Sequence, residues 1–71
     1  MKAKIRLDTV TDVKKFVNIC SNVKKPVLVR DNASHCVSGQ SLMGMLYSLE
    51  WTEIWCECEQ DIYNDIAQFV I

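Results

Sequence analysis

The sequence predicts an α+β fold, an open-faced sandwich in which helices cover one face of a four-stranded antiparallel sheet. Segments with period-two hydrophobicity alternate with segments of helical periodicity, in the order βαββαβα. A short polar turn joins the two central strands, which makes them a hairpin and favours antiparallel pairing. The connections are too short to hold a second domain. Residues 1–71 are therefore expected to form a single domain, with three helices on one face of the sheet.

Alternation and capping chemistry define the first strand and the first helix. Residues 2–7 place an apolar side chain at every second position, which predicts a half-buried strand. Residues 10–20 carry apolar side chains at spacings of three and four, and Thr9 or Thr11 can cap this helix. Thr9 with Asp12 would form a variant of the capping box.

A helix-breaking proline and a run of turn residues predict the central hairpin. Pro26 makes a continued helix unfavourable, and the run Val-Leu-Val-Arg at 27–30 has strand composition. Residues 31–34 have the composition of a turn, because Asp, Asn and Ser hydrogen-bond their own backbone. Residues 35–38 are the return strand.

The second half of the chain predicts a helix, a strand and a last helix. The second helix is capped by Ser41 and ends near residues 49–50. Residues 53–59 alternate cleanly and form the last strand. A third helix is expected from about residue 61, with a buried stripe formed by Ile62, Ile66, Phe69 and Val70.

The tetrapeptide Ser41-Leu42-Met43-Gly44 resembles the Ser-Ile-Met-Gly stretch around the regulatory serine of HPr, the phosphocarrier family of the bacterial sugar phosphotransferase system. The order of elements also agrees, so the resemblance covers most of the chain. It implies the HPr fold, with strand order 1-4-2-3. The first strand would then border the last, and its basic residues would lie beside glutamates on the open face, a favourable cross-strand arrangement. The residues concerned are Lys2, Lys4, Arg6, Glu53, Glu57 and Glu59.

The residues expected to carry phosphoryl transfer are missing. In the HPr family a histidine caps the first helix and accepts the phosphoryl group, and an arginine and a proline follow it. The matching positions here hold Thr9, Thr11 and Asp12, and no histidine precedes His35. A threonine phosphate is a stable ester, and the carboxylate of Asp12 repels an anion at the helix N-terminus. We therefore expect Thr9 and Thr11 to be helix caps, and no phosphocarrier activity.

Ser41 and the apolar residues after it have two interpretations. The resemblance implies that Ser41 is phosphorylated by a kinase dedicated to HPr, as in the Gram-positive branch, whereas the residues alone indicate a helix cap. Leu42, Met43 and Leu46 resemble the docking patch of the family. Helical spacing turns Met45 inward, but the three docking residues cannot all be buried with it, so some apolar surface is expected.

The remaining candidates for a functional role are Trp55, His35 and the cysteines. Alternation places Trp55 on the open sheet face, where it would bury a partner or a second copy of the chain, or cover Lys and Arg stems. His35 is expected to be exposed in the hairpin.

Cys56 and Cys58 point to one face about 7 Å apart along a strand, which is too far for a disulfide. The cysteines, Cys20 and Cys36 included, show no metal-ligand spacing, so structural thiols and no metal or cofactor are expected.

The composition of the chain argues against nucleic acid and membranes as partners. With 8 basic and 9 acidic residues the net charge is −1, which gives no basic patch for nucleic acid. No apolar run approaches the roughly 20 residues that span a bilayer, and the first six residues lack the core of a signal peptide. A cytoplasmic protein with no membrane association is therefore expected.

Three functional hypotheses follow. The first is a non-enzymatic HPr-like regulatory module that binds a protein through the Ser41 helix, its partner being a phosphotransferase-system protein or an HPr serine kinase. The second is a phosphocarrier that uses a non-standard acceptor. The third is a homo-oligomeric assembly module that associates through the open sheet face and Trp55.

Overall fold

The computed structural model describes residues 1–71 and contains four strands and two α-helices. In chain order these are β1 (Lys2–Ile5), α1 (Val10–Cys20), β2 (Val27–Arg30), β3 (Cys36–Ser38), α2 (Leu42–Tyr47) and β4 (Ile54–Cys58). Two 3₁₀ turns complete the structure, Ser48–Glu50 directly after α2 and Ala67–Phe69 near the C-terminus. All strand pairs are antiparallel and the order is β1-β4-β2-β3, so the predicted sheet and its strand order are confirmed.

The register of the sheet gathers its apolar side chains on one face. Cys56 in the middle of β4 lies opposite Ala3 of β1 on one side and opposite Val29 of β2 on the other. Both helices and the C-terminal segment pack against this face and close one core. The core residues are Ile5, Leu7, Val13, Phe16, Cys20, Val27, Val29, Met45, Ile54, Cys56, Cys58, Ile62, Ile66 and Phe69.

The open face of the sheet is not covered by a helix, and around β1 and β4 it carries charged side chains and Trp55. The ammonium groups of Lys2 and Lys4 lie 5.4 and 5.9 Å from the centre of the Trp55 ring, in cation–π range. Trp55 is thereby half-buried under lysine stems. This placement agrees with the outward orientation that alternation predicts for it.

The predicted charge pairing between β1 and β4 is present in part. Lys4 Nζ lies 3.2 Å from Glu53 Oε1, as expected. Glu57 is directly opposite Lys2 in the register, but its Oε2 lies 2.6 Å from Nε of Arg30 on β2, an ion pair whose N–H is not aligned for a hydrogen bond. These pairs are partly exposed, so each contributes at most about 1 kcal/mol.

Thr9 is the N-cap of α1. Its Oγ1 accepts a hydrogen bond from the N–H of Asp12 at 3.1 Å, and Asp12 Oδ2 accepts one from the N–H of Asp8, also at 3.1 Å. The expected pairing of Thr9 with Asp12 is therefore present, although the carboxylate binds the residue before the cap. The two bonds satisfy donors that an uncapped helix start would leave free.

The prediction of a third helix was wrong. Residues 61–71 form successive turns that end in the 3₁₀ turn Ala67–Phe69. The predicted stripe is nevertheless inside, since Ile62 and Ile66 are fully buried. Helix fails here because Ile, Tyr, Asn and Asp at 62–66 are weak helix formers. The last residues are also drawn out along β1, where Arg6 N–H donates to Phe69 O at 2.8 Å and Ile71 N–H donates to Lys4 O at 3.0 Å.

A one-methylene deletion tests how the C-terminal segment is anchored. Ile66→Val should lower the free energy of unfolding by about 1 kcal/mol, because the side chain is 0% exposed and its removal leaves a small cavity. Ile71→Val, at a position that is 71% exposed, should change it by less than about 0.5 kcal/mol. Urea denaturation measures both. Equal effects of the two substitutions would contradict the placement of this segment.

Candidate partner-binding surface on helix α2

The turn before α2 is fixed by a close approach at Gly39. The Gly39 N–H donates to Val27 O at 2.7 Å, which ties the end of β3 to β2. A Cβ at this position would lie 2.8 Å from Cγ1 of Val27 and 3.3 Å from the ring of Phe16. Only glycine lets the chain pass this close to the core, so the start of α2 is placed directly over it.

Gln40 connects the start of α2 to the end of α1. Its side-chain amide Nε2 lies within hydrogen-bond distance of three backbone carbonyls, those of Cys20 at 3.2 Å, Val23 at 3.0 Å and Lys25 at 3.1 Å. The Cys20 carbonyl, at the end of α1, also accepts a hydrogen bond from the Val23 N–H at 3.0 Å, and the amide adds a side-chain donor to it and to two carbonyls of the loop that follows. Sequence reasoning missed Gln40, because its partners lie 15 to 20 residues away and no local pattern marks them.

Ser41 is the N-cap of α2, as predicted. Its Oγ accepts a hydrogen bond from Gly44 N–H at 3.2 Å, and its carbonyl accepts one from Met45 N–H at 2.9 Å. The side chain is exposed, and the first turn of α2 contains no acidic residue. The hydroxyl is therefore both a cap and accessible from solvent.

Helix α2 has one buried side and one bare side. Met45 is fully buried in the core, and Ser48 is buried just after the helix with its Oγ donating to Met45 O at 2.6 Å. The opposite side, here called the α2 outer face, carries four large apolar residues that remain exposed to solvent. They are Leu42, Met43, Leu46 and Tyr47, with exposed fractions of 41%, 76%, 39% and 64%.

The α2 outer face is made of two neighbouring rows. Leu42 and Leu46 are one row, and Met43 and Tyr47 are the other, since residues four apart share a side of a helix. Tyr47 also lines a shallow cleft with Cys36 and Val37, which places the second row beside β3. The first row contains two of the three residues that the sequence predicts for docking, and the third, Met43, begins the second row.

The chain segment that forms most of this surface contains no formal charge, and Glu50 lines its border beside Met43, Leu46 and Tyr47. Asp31 and Glu50 bracket residues 32–49, which contain no Lys, Arg, Asp or Glu, although such residues make up 24% of the chain. The uncharged segment includes β3, the turn and α2. It also contains four of the seven exposed large apolar residues of the protein. Bare apolar area of this kind on a small protein is typical of an interaction site.

The start of α1 holds no imidazole. Thr9 is the cap there, Thr11 is exposed, and Asp12 Oδ2 accepts a hydrogen bond from the Asp8 N–H in the same turn. An incoming phosphoryl group would meet the carboxylate of Asp12 at this helix end, whereas the carboxylate of Asp8 lies 3.6 Å from Nε of Arg6. The structure thus brings together none of the chemistry that a phosphohistidine relay needs at these positions.

The single histidine lies at the hairpin, as predicted. Nδ1 of His35 is 2.7 Å from Oδ2 of Asp31, and its ring stacks on Trp51 with centres 5.9 Å apart. Burial acts to raise the pKa of Asp31, but the hydrogen bond with the His35 ring and those from the Ala33 and His35 N–H groups outweigh it. The pKa of Asp31 is therefore lowered below its usual 3.8. This group closes the turn and presents no open site.

Three of the four cysteines are buried, and all four are free thiols. Burial and the neighbouring Cys56 raise the pKa of Cys20 to about 12, and burial with the neighbouring Cys58 raises that of Cys56 to about 11. A thiol with such a pKa is an inert core side chain at neutral pH. Cys36 is exposed on β3. The structure contains no group of three or more His, Cys, Asp or Glu side chains that could hold a metal ion.

Comparison of the chain with protein-family models, with curated proteins and with solved structures found no match. Neither helix has the length and apolar character needed to cross a bilayer. The features that point to a function are therefore the geometry of the α2 outer face and the resemblance of residues 41–44 to HPr.

Removal of the Gln40 amide should loosen the start of α2. We expect Gln40→Ala to lower the free energy of unfolding by about 1–3 kcal/mol, because backbone carbonyls lose their only side-chain donor. Gln60→Ala is the matched control, since Gln60 is exposed and makes no hydrogen bond through its side chain. Thermal unfolding of both variants measures the difference. Similar melting temperatures for the two would show that Gln40 does not hold these elements together.

The Asp31 turn should give the stability a pH dependence of known sign. Because its folded-state pKa is lowered, Asp31 stabilises the fold above its unfolded value of 3.8, and this contribution is lost as the pH falls through the folded value. Asp31→Asn should therefore be less stable than wild type at neutral pH, with the gap shrinking in acid. Urea titrations at neutral pH and at pH 3 test this, with Asp65→Asn as the control. A gap that widens in acid would contradict the assignment.

Proposed function

We propose that this protein is a non-enzymatic, HPr-like regulatory module that binds a protein partner through the α2 outer face and carries no phosphoryl group. Its partner would be a phosphotransferase-system protein or the kinase that modifies HPr on serine. The observation that carries the proposal is the α2 outer face, where four large apolar residues that remain exposed to solvent follow an exposed N-cap serine.

The physical basis for binding is the burial of these side chains. Leaving Leu42, Met43 and Leu46 in water is unfavourable, and covering an apolar side chain fully is worth about 1.5–3 kcal/mol. Methionine and leucine adapt to the shape of a partner at little cost. The helix is held from behind by Gln40 and Met45, so the outer face is presented on a rigid support.

Phosphorylation at Ser41 would regulate the same face. A phosphate on Oγ adds about −2 charge directly beside Leu42, in a chain segment, residues 32–49, that otherwise has no charge. It would weaken an apolar contact and favour a partner with an arginine or lysine at this point. The proposal thus includes both a docking row and a means of changing its specificity.

The absence of an imidazole at α1 supports the non-carrier assignment. The carboxylate of Asp12 lies at the first turn of α1, where an anion would have to dock, and Thr9 Oγ1 is already engaged as a cap. Both features act against phosphoryl transfer at this helix end. The scaffold of a carrier would remain while its chemistry is lost.

The experiment uses two purified enzymes and radioactive phosphate. With an HPr serine kinase and ATP, we expect stable label on wild type and none on Ser41→Ala. With enzyme I and phosphoenolpyruvate, we expect no acid-labile label. The double substitution Leu42→Gln/Leu46→Gln should lower kcat/KM of the kinase by about tenfold or more, because it removes the docking row.

Ile71→Gln is the control for the double substitution, since it changes an exposed apolar residue remote from α2 in sequence. It should leave kcat/KM unchanged. Acid-labile label on the chain would defeat the non-carrier assignment. A kinase that ignores Ser41, or that is indifferent to the double substitution, would defeat the HPr-like docking assignment.

A further inference from the structure

The two edges of the sheet differ. On the outer edge of β1, the C-terminal segment is already bonded, with Val70 bridged to Ile5 and Ile71 N–H donating to Lys4 O at 3.0 Å. On the other edge, β3 has β2 on one side and no strand on the other. A free sheet edge is a template for pairing with another strand. The protein therefore has one protected edge and one open edge.

The hydrogen bonds of the hairpin show which groups of β3 are open. Asp31 N–H donates to His35 O and Gly39 N–H donates to Val27 O, so the odd-numbered residues of this stretch face β2. In an antiparallel pair the residues between them point their N–H and C=O the other way. Cys36 and Ser38 are those residues. Their backbone groups face outward, and the Ser38 carbonyl there also accepts from Ser41 N–H at 3.2 Å.

The surface next to this edge is apolar, and Glu50 is the one acidic residue that lines it. The Met43–Tyr47 row of the α2 outer face adjoins β3 through the cleft that Tyr47 shares with Cys36 and Val37. Residues 32–49 contain no formal charge, so a second copy placed here would meet no like charge within this segment. A strand edge is also self-complementary, because two antiparallel copies offer each other donors opposite acceptors. The surface has what a two-fold interface between identical chains requires.

We propose that this protein forms a symmetric homodimer by antiparallel pairing of β3 with β3 of a second copy, with the Met43–Tyr47 rows of the two α2 helices packed together beneath. Centred on Val37, this register pairs Cys36 of each chain with Ser38 of the other. The result is a continuous eight-stranded sheet. Because the C-terminal segment protects the β1 edge, addition stops at two chains and no filament grows.

This dimer goes beyond the proposed function and uses a different part of the molecule from the open face around Trp55. The proposed partner docks on Leu42, Met43 and Leu46, and the dimer shares only Met43 with this set, because the Leu42–Leu46 row is the row of α2 farther from β3. Failure of one assignment therefore does not imply failure of the other. The test below uses the purified chain alone, whereas docking is tested with the kinase.

The test is the molar mass of the full chain by light scattering and sedimentation, from micromolar to millimolar concentration. Wild type should rise from its chain mass of 8.2 kDa toward twice that value. Ser38→Pro removes the outward N–H while leaving the bonds to β2, and should weaken dimerisation by about tenfold or more. Ser38→Ala is its matched control, since it loses the same hydroxyl but keeps the N–H, and should dimerise like wild type.

A second variant tests the helix row without touching the strand. Tyr47→Lys places like charges across the two-fold axis and should also give a monomer, with its fold checked by circular dichroism. Tyr63→Lys, a change at another exposed tyrosine, should leave the dimer intact. A wild type that stays at 8.2 kDa at millimolar concentration would overturn the proposal and favour an extended peptide of another protein as the occupant. A dimer unaffected by both Ser38→Pro and Tyr47→Lys would overturn it equally.

Discussion

One-sided burial of the sheet is the constraint on which the rest of the structure depends. The pairing of β4 between β1 and β2 places alternate side chains of three strands on a single face, and Cys56 is at its centre. A slip of one residue in either pairing would turn that face toward water. Both helices and the C-terminal segment lie where they do because they cover it. The other face keeps lysines, glutamates and Trp55, which cover one another.

Helix α2 has to satisfy this constraint with very few residues. Its six residues supply one fully buried side chain, Met45, and continue into a 3₁₀ turn that buries Ser48. Such a short helix is not stable on its own, so its position depends on Gly39 and Gln40 behind it. The side chains of α2 that do not pack into the core are exposed, and most of them are apolar. The candidate site is thus a direct consequence of how little of the helix the core requires.

Local patterns determined how much could be predicted. Alternation identified the strands, and the cap residues Thr9 and Ser41 marked both helix starts, because these signals depend on neighbours along the chain. The strand order came from the resemblance to HPr and is confirmed. The last helix was mispredicted because the burial stripe of Ile62 and Ile66 is equally well made by turns. Long-range contacts could not be predicted, because no short window of sequence contains both partners. They include the hydrogen bonds of Gln40, the Arg30–Glu57 pair and the bond of Ile71 to β1.

The methionines give the most direct test of the two-sided helix, since Met43 and Met45 lie two residues apart on α2 and have opposite environments. Methyl-labelled methionine would be followed by NMR, in dilute protein with a soluble paramagnetic agent. The account predicts strong broadening of the Met43 methyl, which is 76% exposed, and protection of Met45, which is fully buried. Equal broadening of both, or protection of Met43 in the monomer, would contradict it.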